Sequence, residues 1–243
     1  MKVEAWGKTD VGLKRSENQD SIYLDNDIGL YIVADGMGGH QGGGVASLLA
    51  IETVVEIITT KKDKLNEIFT PIELFREAYI EATRRIFEKG NTENPELRGM
   101  GTTLVVAIVY DGRVFVGNVG DSRAYLFNGK NMWQITEDHS LVYEQLKMSK
   151  FRNINEDQLL GKNIITRSVG FEPSIQVDIV QKKIESGDCL FLCSDGVTGP
   201  VTNDQLLELF SSTEGSQIPD KCIELACQGG GDDNISAVYI KFS

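Results

Sequence analysis

Long apolar runs are missing from this sequence. No stretch approaches the roughly 18 apolar residues that a membrane-spanning helix needs, because the longest candidate, residues 45–58, contains Glu52 and Glu56. The opening sequence MKVEAWGKTD also lacks the apolar core of a secretory signal peptide. From these absences we expect a cytoplasmic protein without a membrane span.

Basic residues are scarce as well. The chain has 24 Lys and Arg against 36 Asp and Glu, which gives a net charge of −12. Nucleic acids and anionic membranes bind to basic surfaces, so neither is an expected partner. A solvated acidic surface would explain such an excess. The alternative is that some of the carboxylates cluster around cations.

Zinc-site and disulfide patterns are also missing. The chain has two histidines, His40 and His139, and its four cysteines form no C-x-x-C pair. Buried small apolar side chains are the simplest interpretation of these cysteines.

Most phosphate-handling motifs fail on spacing. The chain has no G-x-x-x-x-G-K-[ST] loop, and residues 36–41 (GMGGHQ) end in Gln where the dinucleotide fingerprint requires a small residue. No cysteine is followed by arginine at the spacing of a cysteine-dependent phosphatase, and Ser47 lacks a G-x-S-x-G context. Water activated by a metal ion is the phosphate chemistry that remains.

The apolar patterns predict an α+β fold with many strands. The turn pairs DG at 111–112 and NG at 128–129 indicate two hairpins. Helical periodicity falls in two blocks, within 42–88 and within 203–228. Paired strands with grouped helices favour an α+β sandwich over a doubly wound parallel sheet, and we expect residues 1–243 to form one domain.

Aspartates stand at the ends of the predicted strands. Asp35, Asp121 and Asp195 come shortly after apolar strands, whereas Asp20 and Asp233 come just before strands. Hairpin geometry places the start of one strand beside the end of the next, so Asp20 should lie next to Asp35. If the other strands alternate in the same way, all five carboxylates share one edge of the sheet.

Five carboxylates at one edge predict a cation site. Like charges this close repel and raise one another's pKa values, so a cation among them is the economical explanation. Ligands that are all oxygen favour magnesium or manganese over zinc or copper. A turn or strand cap is the ordinary interpretation of any one aspartate. For the set, the neighbouring glycine-rich sequences favour metal binding, because glycine permits close approach of the backbone.

Seven short motifs occur in order across nearly the whole chain. They are RSENQD (15–20), VADGMGGH (33–40), GTTL (101–104), GNVGDSR (117–123), TEDHS (136–140), CSDG (193–196) and GGDDNIS (230–236). Together they closely resemble the metal-dependent protein phosphatases, the type 2C serine/threonine phosphatases, in their bacterial form. The resemblance implies a central β-sandwich of two antiparallel sheets flanked by helix pairs, with a flap subdomain at roughly 142–166.

The motif matches imply the metal ligands. Asp35 would bridge two ions, the Gly36 carbonyl would bind one of them, and Asp195 and Asp233 would complete the shell of the other. Asp121, together with Asp195, resembles the site of a third and weaker ion. The resemblance therefore implies two to three Mn²⁺ or Mg²⁺ ions as cofactors.

The same matches imply the remaining roles. Arg15 would bind the substrate phosphate through its planar guanidinium group. Asp20 would act through water or through hydrogen bonds to the ligands, and with Arg15 and Asp35 it completes the expected catalytic set. Gln19 and Asn234 would not bind an ion themselves but would orient the metal ligands or a water molecule.

Two positions depart from the animal enzymes of this family. Gln19 stands where those enzymes carry glutamate, and Met37 stands where they place a histidine that has been suggested as a general acid. His40 lies three residues after Met37, but we do not assign the general-acid role to it.

The implied reaction is hydrolysis of phosphoserine and phosphothreonine in proteins, by direct attack of a water or hydroxide that bridges two divalent ions. We expect a monomeric signalling enzyme whose partners are phosphorylated proteins, substrates of a eukaryotic-like serine/threonine kinase. Two alternatives stay open at this point. One is a dinuclear phosphatase for a small phosphomonoester, and the other is a binding module that recognises phosphoproteins without hydrolysis.

Overall fold

Two antiparallel sheets form the centre of the structure, a computed structural model that describes residues 1–39, 41–62, 65, 70–152, 161 and 164–243. The first sheet has, in spatial order, β1 (Val3–Asp10), β11 (Ile235–Phe242), β10 (Cys189–Cys193), β7 (Arg123–Phe127) and β8 (Met132–Gln134). The second has β2 (Asp20–Asp25), β3 (Leu30–Met37), β5 (Leu104–Tyr110), β6 (Arg113–Val119) and β9 (Asp178–Lys183). A short strand, β4 (Gly101–Thr102), pairs with the end of β3.

Helices cover the outer faces of both sheets. Two pairs of helices are α1 (Gly42–Lys61) with α2 (Pro71–Glu88) and α5 (Asn203–Ser212) with α6 (Ile218–Gln228), and two further helices are α3 (Leu141–Arg152) and α4 (Asp195–Thr198). Single helical turns lie at Lys89–Glu93, Pro95–Leu97 and Gly215–Gln217. Thr70 and Thr202 begin α2 and α5 with capping boxes, which satisfy main-chain amides that a helix start leaves unpaired.

Three apolar layers separate these elements. The inner faces of the two sheets enclose one core, which includes Tyr31, Val33, Leu190 and Val238. A second core lies between the second sheet and the α1–α2 pair, and a third lies between the first sheet and the α5–α6 pair. The predicted α+β sandwich of two antiparallel sheets flanked by helix pairs is therefore confirmed.

Helix α1 corrects one expectation. Its length and mean hydropathy of 1.5 over 18 residues match those of a membrane-spanning helix, so Glu52 and Glu56 do not break the apolar character as strongly as the sequence suggested. Ten of its residues are buried, however, and the helix packs on β3 and α2. This placement is that of a core helix in a layered domain.

The predicted flap is described in part. Its first half forms α3, and Ser140 and Ile165 form an antiparallel bridge at its base. Residues 153–160 and 162–163 of the predicted flap lie outside the described residues, so the flap stays a prediction. The four cysteines are free thiols, and Cys227 alone among them is partly exposed.

Candidate active site

Strands β2 and β3 place Asp20 and Asp35 directly opposite each other, as the hairpin argument predicted. Asp20 is nearly buried, and its Oδ2 accepts a hydrogen bond from Ser194 Oγ at 2.8 Å. The Asp35 amide donates to Thr103 Oγ1 at 3.0 Å, and the Asp35 carbonyl accepts from the Thr103 amide at 2.8 Å. Both carboxylates are thus held by strands rather than by free loops.

Asp195 begins α4 immediately after β10 and Ser194. The Ser194 amide donates to the Ser236 carbonyl at 3.1 Å, and the Ser236 amide donates to Ser194 Oγ at 3.0 Å. Gly196 lies so close to β11 that a Cβ there would come within 1.9 Å of the Asn234 carbonyl oxygen. Glycine is required for this approach, which fixes Asp195 against the start of β11.

Asn234 fastens the loop that follows β1. Its Nδ2 donates to the carbonyl oxygens of Val11 at 3.0 Å and Glu17 at 2.9 Å, and its Oδ1 accepts from the Gln19 amide at 2.8 Å. The side chain is 6% exposed. Its amide group therefore supports the site by positioning residues 11–19, the loop that carries Arg15.

Replacing Asn234 with alanine should release this loop. Three buried hydrogen bonds are lost at about 1 kcal/mol each, so the free energy of unfolding in urea should fall by about 3 kcal/mol, and catalytic turnover should fall with it. Asn91→Ala is the matched control, because exposed Asn91 makes one side-chain hydrogen bond, to the Phe87 carbonyl. Equal stability of the two variants would contradict the fastening role of Asn234.

Arg15 forms an ion pair with Asp233, with Nη2 at 2.8 Å from Oδ2. The two side chains are 55% and 36% exposed, so the pair contributes little to stability. Its main effect is local: a positive charge stands at the rim of the carboxylate cluster and stays accessible to a ligand.

Gly36 brings the end of β3 against the first turn of α1. A Cβ at Gly36 would lie 2.0 Å from the Gly43 carbonyl oxygen and 2.7 Å from the Gln19 carbonyl oxygen. Ser47 Oγ donates to that same Gln19 carbonyl at 2.6 Å. Glycine is therefore required at position 36 for the packing of β3 against α1, whereas close approach of an ion to this glycine stays a prediction. His40, a few residues later, lies outside the described residues.

Asp121 follows β6 at a turn that requires glycine. Gly120 has φ of 104°, and a Cβ there would lie 2.6 Å from Thr103 Cβ. His139 holds both main-chain polar groups of Gly120: its Nδ1 accepts from the Gly120 amide at 3.0 Å, and its own amide donates to the Gly120 carbonyl at 2.9 Å. The position of Asp121 is therefore set from the TEDHS segment.

His139 is a positioning residue whose role the sequence prediction missed. Because Nδ1 accepts a hydrogen bond, the ring proton lies on Nε2, which donates to Asp178 Oδ2 at 3.0 Å. Asp178 also binds Arg167 Nη1 at 2.8 Å. Burial lowers the pKa of His139, so the ring is neutral at neutral pH. The one signal for this role was the presence of TEDHS in the ordered motif series.

Burial and mutual repulsion raise the pKa values of the clustered aspartates. The pKa of Asp35 is raised well above its ordinary value by burial first, and then by the charges of Asp20, Asp195, Asp121 and Asp233. Burial raises the pKa of Asp20 to about 6. Burial and the Asp195 charge raise the pKa of Asp121 to about 7. Burial and the Asp233 charge raise the pKa of Asp195, so the predicted repulsion is confirmed.

Three of these carboxylates carry a buried oxygen that lacks a hydrogen-bond partner among the residues the structure describes: Oδ1 of Asp20, Asp121 and Asp195. Such an oxygen is costly to leave unpaired, and a divalent cation would satisfy it. In the described part of the chain, no three His, Cys, Asp or Glu side chains close into a finished cage for one ion. Main-chain carbonyls and water would have to complete the shell of an ion here, as they do for magnesium and manganese.

A groove of about 1610 Å³ opens onto this edge of the sheets. It is lined by Arg15, Gly36 and three of the aspartates, Asp35, Asp195 and Asp233. Of the other two aspartates, Asp20 is buried and Asp121 is partly exposed. The structure thus brings the predicted site residues together at one edge, with an open path for a ligand.

The chain is similar to known protein phosphatases in sequence. A sequence profile of the family described as Protein phosphatase 2C matches residues 14–222. The chain is 35% identical over 241 residues to the serine/threonine phosphatase stp of Listeria monocytogenes, covering 96% of this chain and 94% of the relative. It is 36% identical over 242 residues to protein phosphatase PhpP of Streptococcus pneumoniae, covering 97% and 96%.

The chain is also similar in fold to solved structures of serine/threonine phosphatases. The serine/threonine phosphatase PstP/Ppp of Mycobacterium tuberculosis superimposes with a TM-score of 0.88 at 29% identity, over 99% of both chains. The catalytic domain of PstP in complex with two manganese ions superimposes with a TM-score of 0.86 at 29% identity, over 98% of this chain and 97% of that one.

Proposed function

Since this chain belongs to the protein phosphatase 2C family and is a metal-dependent serine/threonine protein phosphatase, we propose that the clustered aspartates are its metal site. Asp35, Asp195 and Asp233 are the proposed ligands of two ions, with the Gly36 carbonyl as a further ligand. Asp121 is proposed to bind a third ion. The observation that carries this proposal is the crowding of five carboxylates, three of which (Asp20, Asp121 and Asp195) have a buried oxygen without a partner among the described residues.

Two to three Mn²⁺ or Mg²⁺ ions are the proposed cofactors, because the proposed donors are oxygen atoms. Manganese is supported by the relative PstP, whose catalytic domain was solved with two manganese ions. Divalent ions bound here would lower the pKa of a water molecule and offset the charge of the phosphoryl group. Asp20 is proposed to act through hydrogen bonds rather than as a direct metal ligand, because the hydrogen bond that it accepts from Ser194 fixes the residue that precedes Asp195.

Arg15 is the proposed ligand of the substrate phosphate. Its exposed guanidinium lies at the mouth of the groove with one nitrogen on Asp233. A planar guanidinium can present two parallel N–H donors to two phosphate oxygens. In the proposed reaction, water forms a bond to phosphorus while the bond to the serine or threonine oxygen breaks. A second water molecule is proposed to protonate the leaving oxygen.

Replacing Arg15 with lysine should weaken phosphopeptide hydrolysis while keeping the positive charge. Lysine cannot form the paired contact, so kcat/KM should fall by roughly 10- to 100-fold, mainly through KM. Exposed Arg113, the first residue of β6, provides the control Arg113→Lys, which should leave steady-state kinetics unchanged. Wild-type kinetics for Arg15→Lys would contradict phosphate binding by this residue.

The proposed substrates are phosphoserine and phosphothreonine proteins, modified by a eukaryotic-like serine/threonine kinase. We further propose a cytoplasmic signalling role, a monomer formed by one domain, and a flap at roughly 142–166 that shapes substrate choice.

The function is tested with dialysed protein under titrated manganese and magnesium. We expect hydrolysis of p-nitrophenyl phosphate that depends on added metal, and faster turnover of phosphopeptides than of a sugar phosphate. Faster turnover of the sugar phosphate would support the small-ester alternative. Phosphopeptide binding without hydrolysis at saturating metal would support a binding module.

A further inference from the structure

The active-site groove has an apolar side close to the carboxylates. We define the apolar shelf as Met37, Leu97 and Phe171, which all line the groove. The Phe171 side chain is 55% exposed. Gly101, which has no side chain, lies close to both Met37 and Phe171: a Cβ on Gly101 would lie 3.1 Å from Met37 Cε and 3.4 Å from Phe171 Cβ. The shelf is therefore an apolar surface inside the groove, with Phe171 exposed and Met37 and Leu97 partly buried.

The backbone fixes the distance from the shelf to the reaction site. Gly36 pairs with Thr102 across β3 and β4, and Thr102 exchanges two main-chain hydrogen bonds with Val169, at 3.0 and 2.8 Å. Neighbouring strands lie about 4.8 Å apart, so the segment that leads to Phe171 runs roughly 10 Å from the end of β3. Met37 is nearer, on the same side of β3 as Asp35.

This distance matches an extended peptide bound through its phosphate. Residues along an extended chain are about 3.3 Å apart, so a side chain two or three positions from the phosphorylated residue lies about 7–10 Å away. A substrate whose phosphate reaches Asp35 can therefore place such a side chain on the shelf.

Two acidic side chains stand beside the shelf and line the groove. Glu96 precedes Leu97, Glu172 follows Phe171, and both are exposed and line the groove. Arg167 also lines the groove, but it is bound to Asp178 at 2.8 Å and to the Gln176 carbonyl at 3.0 Å. Arg98 follows Leu97 and is exposed, but it does not line the groove. A basic side chain is the complement of this rim.

We propose that the apolar shelf is a substrate-specificity subsite. It takes an apolar side chain two or three positions from the phosphorylated serine or threonine, and it favours a lysine or arginine next to that side chain. The inference rests on the proposed phosphoprotein phosphatase function and adds the class of substrate sequence.

The test compares kcat/KM for matched phosphopeptides at saturating manganese. Each peptide carries leucine or serine at one tested position, two or three residues before or after the phosphorylated residue. The residue next to the tested position is either lysine or glutamate. Wild-type protein should prefer leucine to serine by about tenfold at one or more positions. Phe171→Ser should reduce this preference to below about twofold, and Glu172→Lys should reverse the preference for lysine over glutamate.

Controls separate this proposal from the function on which it rests. Turnover of p-nitrophenyl phosphate, which is too small to reach the shelf, should be unchanged in both variants. Ile80→Ser removes an equally exposed apolar side chain from α2, outside the groove, and should keep the wild-type preference. Equal rates for leucine and serine peptides in the wild type would overturn the shelf while leaving the phosphatase function intact. Hydrolysis of p-nitrophenyl phosphate with no phosphopeptide turnover would overturn both.

Discussion

Asp195→Asn is expected to abolish metal-dependent hydrolysis and, at the same time, to raise the melting temperature of the metal-free protein. Burial and the charge of Asp233 raise the pKa of Asp195. A carboxyl whose folded pKa is raised costs stability at every pH above its unfolded pKa, and the neutral amide removes that cost. The metal-free variant should therefore melt several degrees higher than the wild type, while turnover falls by at least about a thousandfold.

Manganese should reverse this order of stability. A ligand at about 100 times its Kd stabilises the folded state by about 2.7 kcal/mol, which is roughly 5–10 °C for a domain of this size. The wild type should gain this stabilisation and the variant should lose most of it. Asp232→Asn changes the exposed neighbour of Asp233 and should behave as the wild type. Near-normal turnover of Asp195→Asn would refute the ligand assignment. A metal-free variant that melts below the metal-free wild type would refute it as well.

The second large effect is the pH dependence of stability without metal. Burial raises the pKa of Asp20 to about 6 and the pKa of Asp121 to about 7. Burial and charged neighbours also raise the pKa of Asp35 well above its ordinary value. Between the unfolded pKa near 3.8 and these folded values, the native state binds more protons than the unfolded state. Its free energy of unfolding therefore falls as pH rises through this window.

His139 acts in the opposite direction. Burial lowers its pKa, so the unfolded chain takes up this proton first on acidification and the native state loses stability below about pH 6.5. One histidine opposes several carboxyl groups, so the carboxylates should decide the sign. The metal-free protein should melt at a higher temperature near pH 5 than near pH 8.

Metal should invert this profile, because protons and cations compete for the same oxygens. Excess manganese should raise the melting temperature far more near pH 8 than near pH 5.

Asp121→Asn should flatten the metal-free profile, whereas Asp204→Asn, at an exposed position in α5, should leave it unchanged. A metal-free protein that is most stable near pH 8 would rule out crowded, protonating carboxylates.

Local patterns accounted for the part of the site that lies within hairpins. Asp20 and Asp35 belong to one β2–β3 hairpin, so strand alternation and a turn were enough to place them face to face. Periodicity identified α1, α2, α5 and α6 in the same way, since one face of each is buried, whereas α4 was not predicted. The short strand β4 was not predicted, because its two residues are ordered by the end of β3.

Contacts between distant segments explain what the sequence could not reveal. Asn234 hydrogen-bonds main-chain groups more than 200 positions away, and such contacts leave no periodic pattern. His139 acts on Gly120 only once β6 and the TEDHS segment meet. The apolar shelf likewise depends on the bridge between Thr102 and Val169. The motif order therefore pointed to the family and the ligands, while the supporting residues required the fold.

The most direct test of the metal site is a crystal structure with excess manganese, using anomalous scattering to locate the ions. We predict anomalous peaks among the carboxylates of Asp35, Asp195 and Asp233, with oxygen ligands at the distances of hard divalent ions. Well-ordered carboxylates that point to separate places, with no anomalous peak among them, would contradict the account.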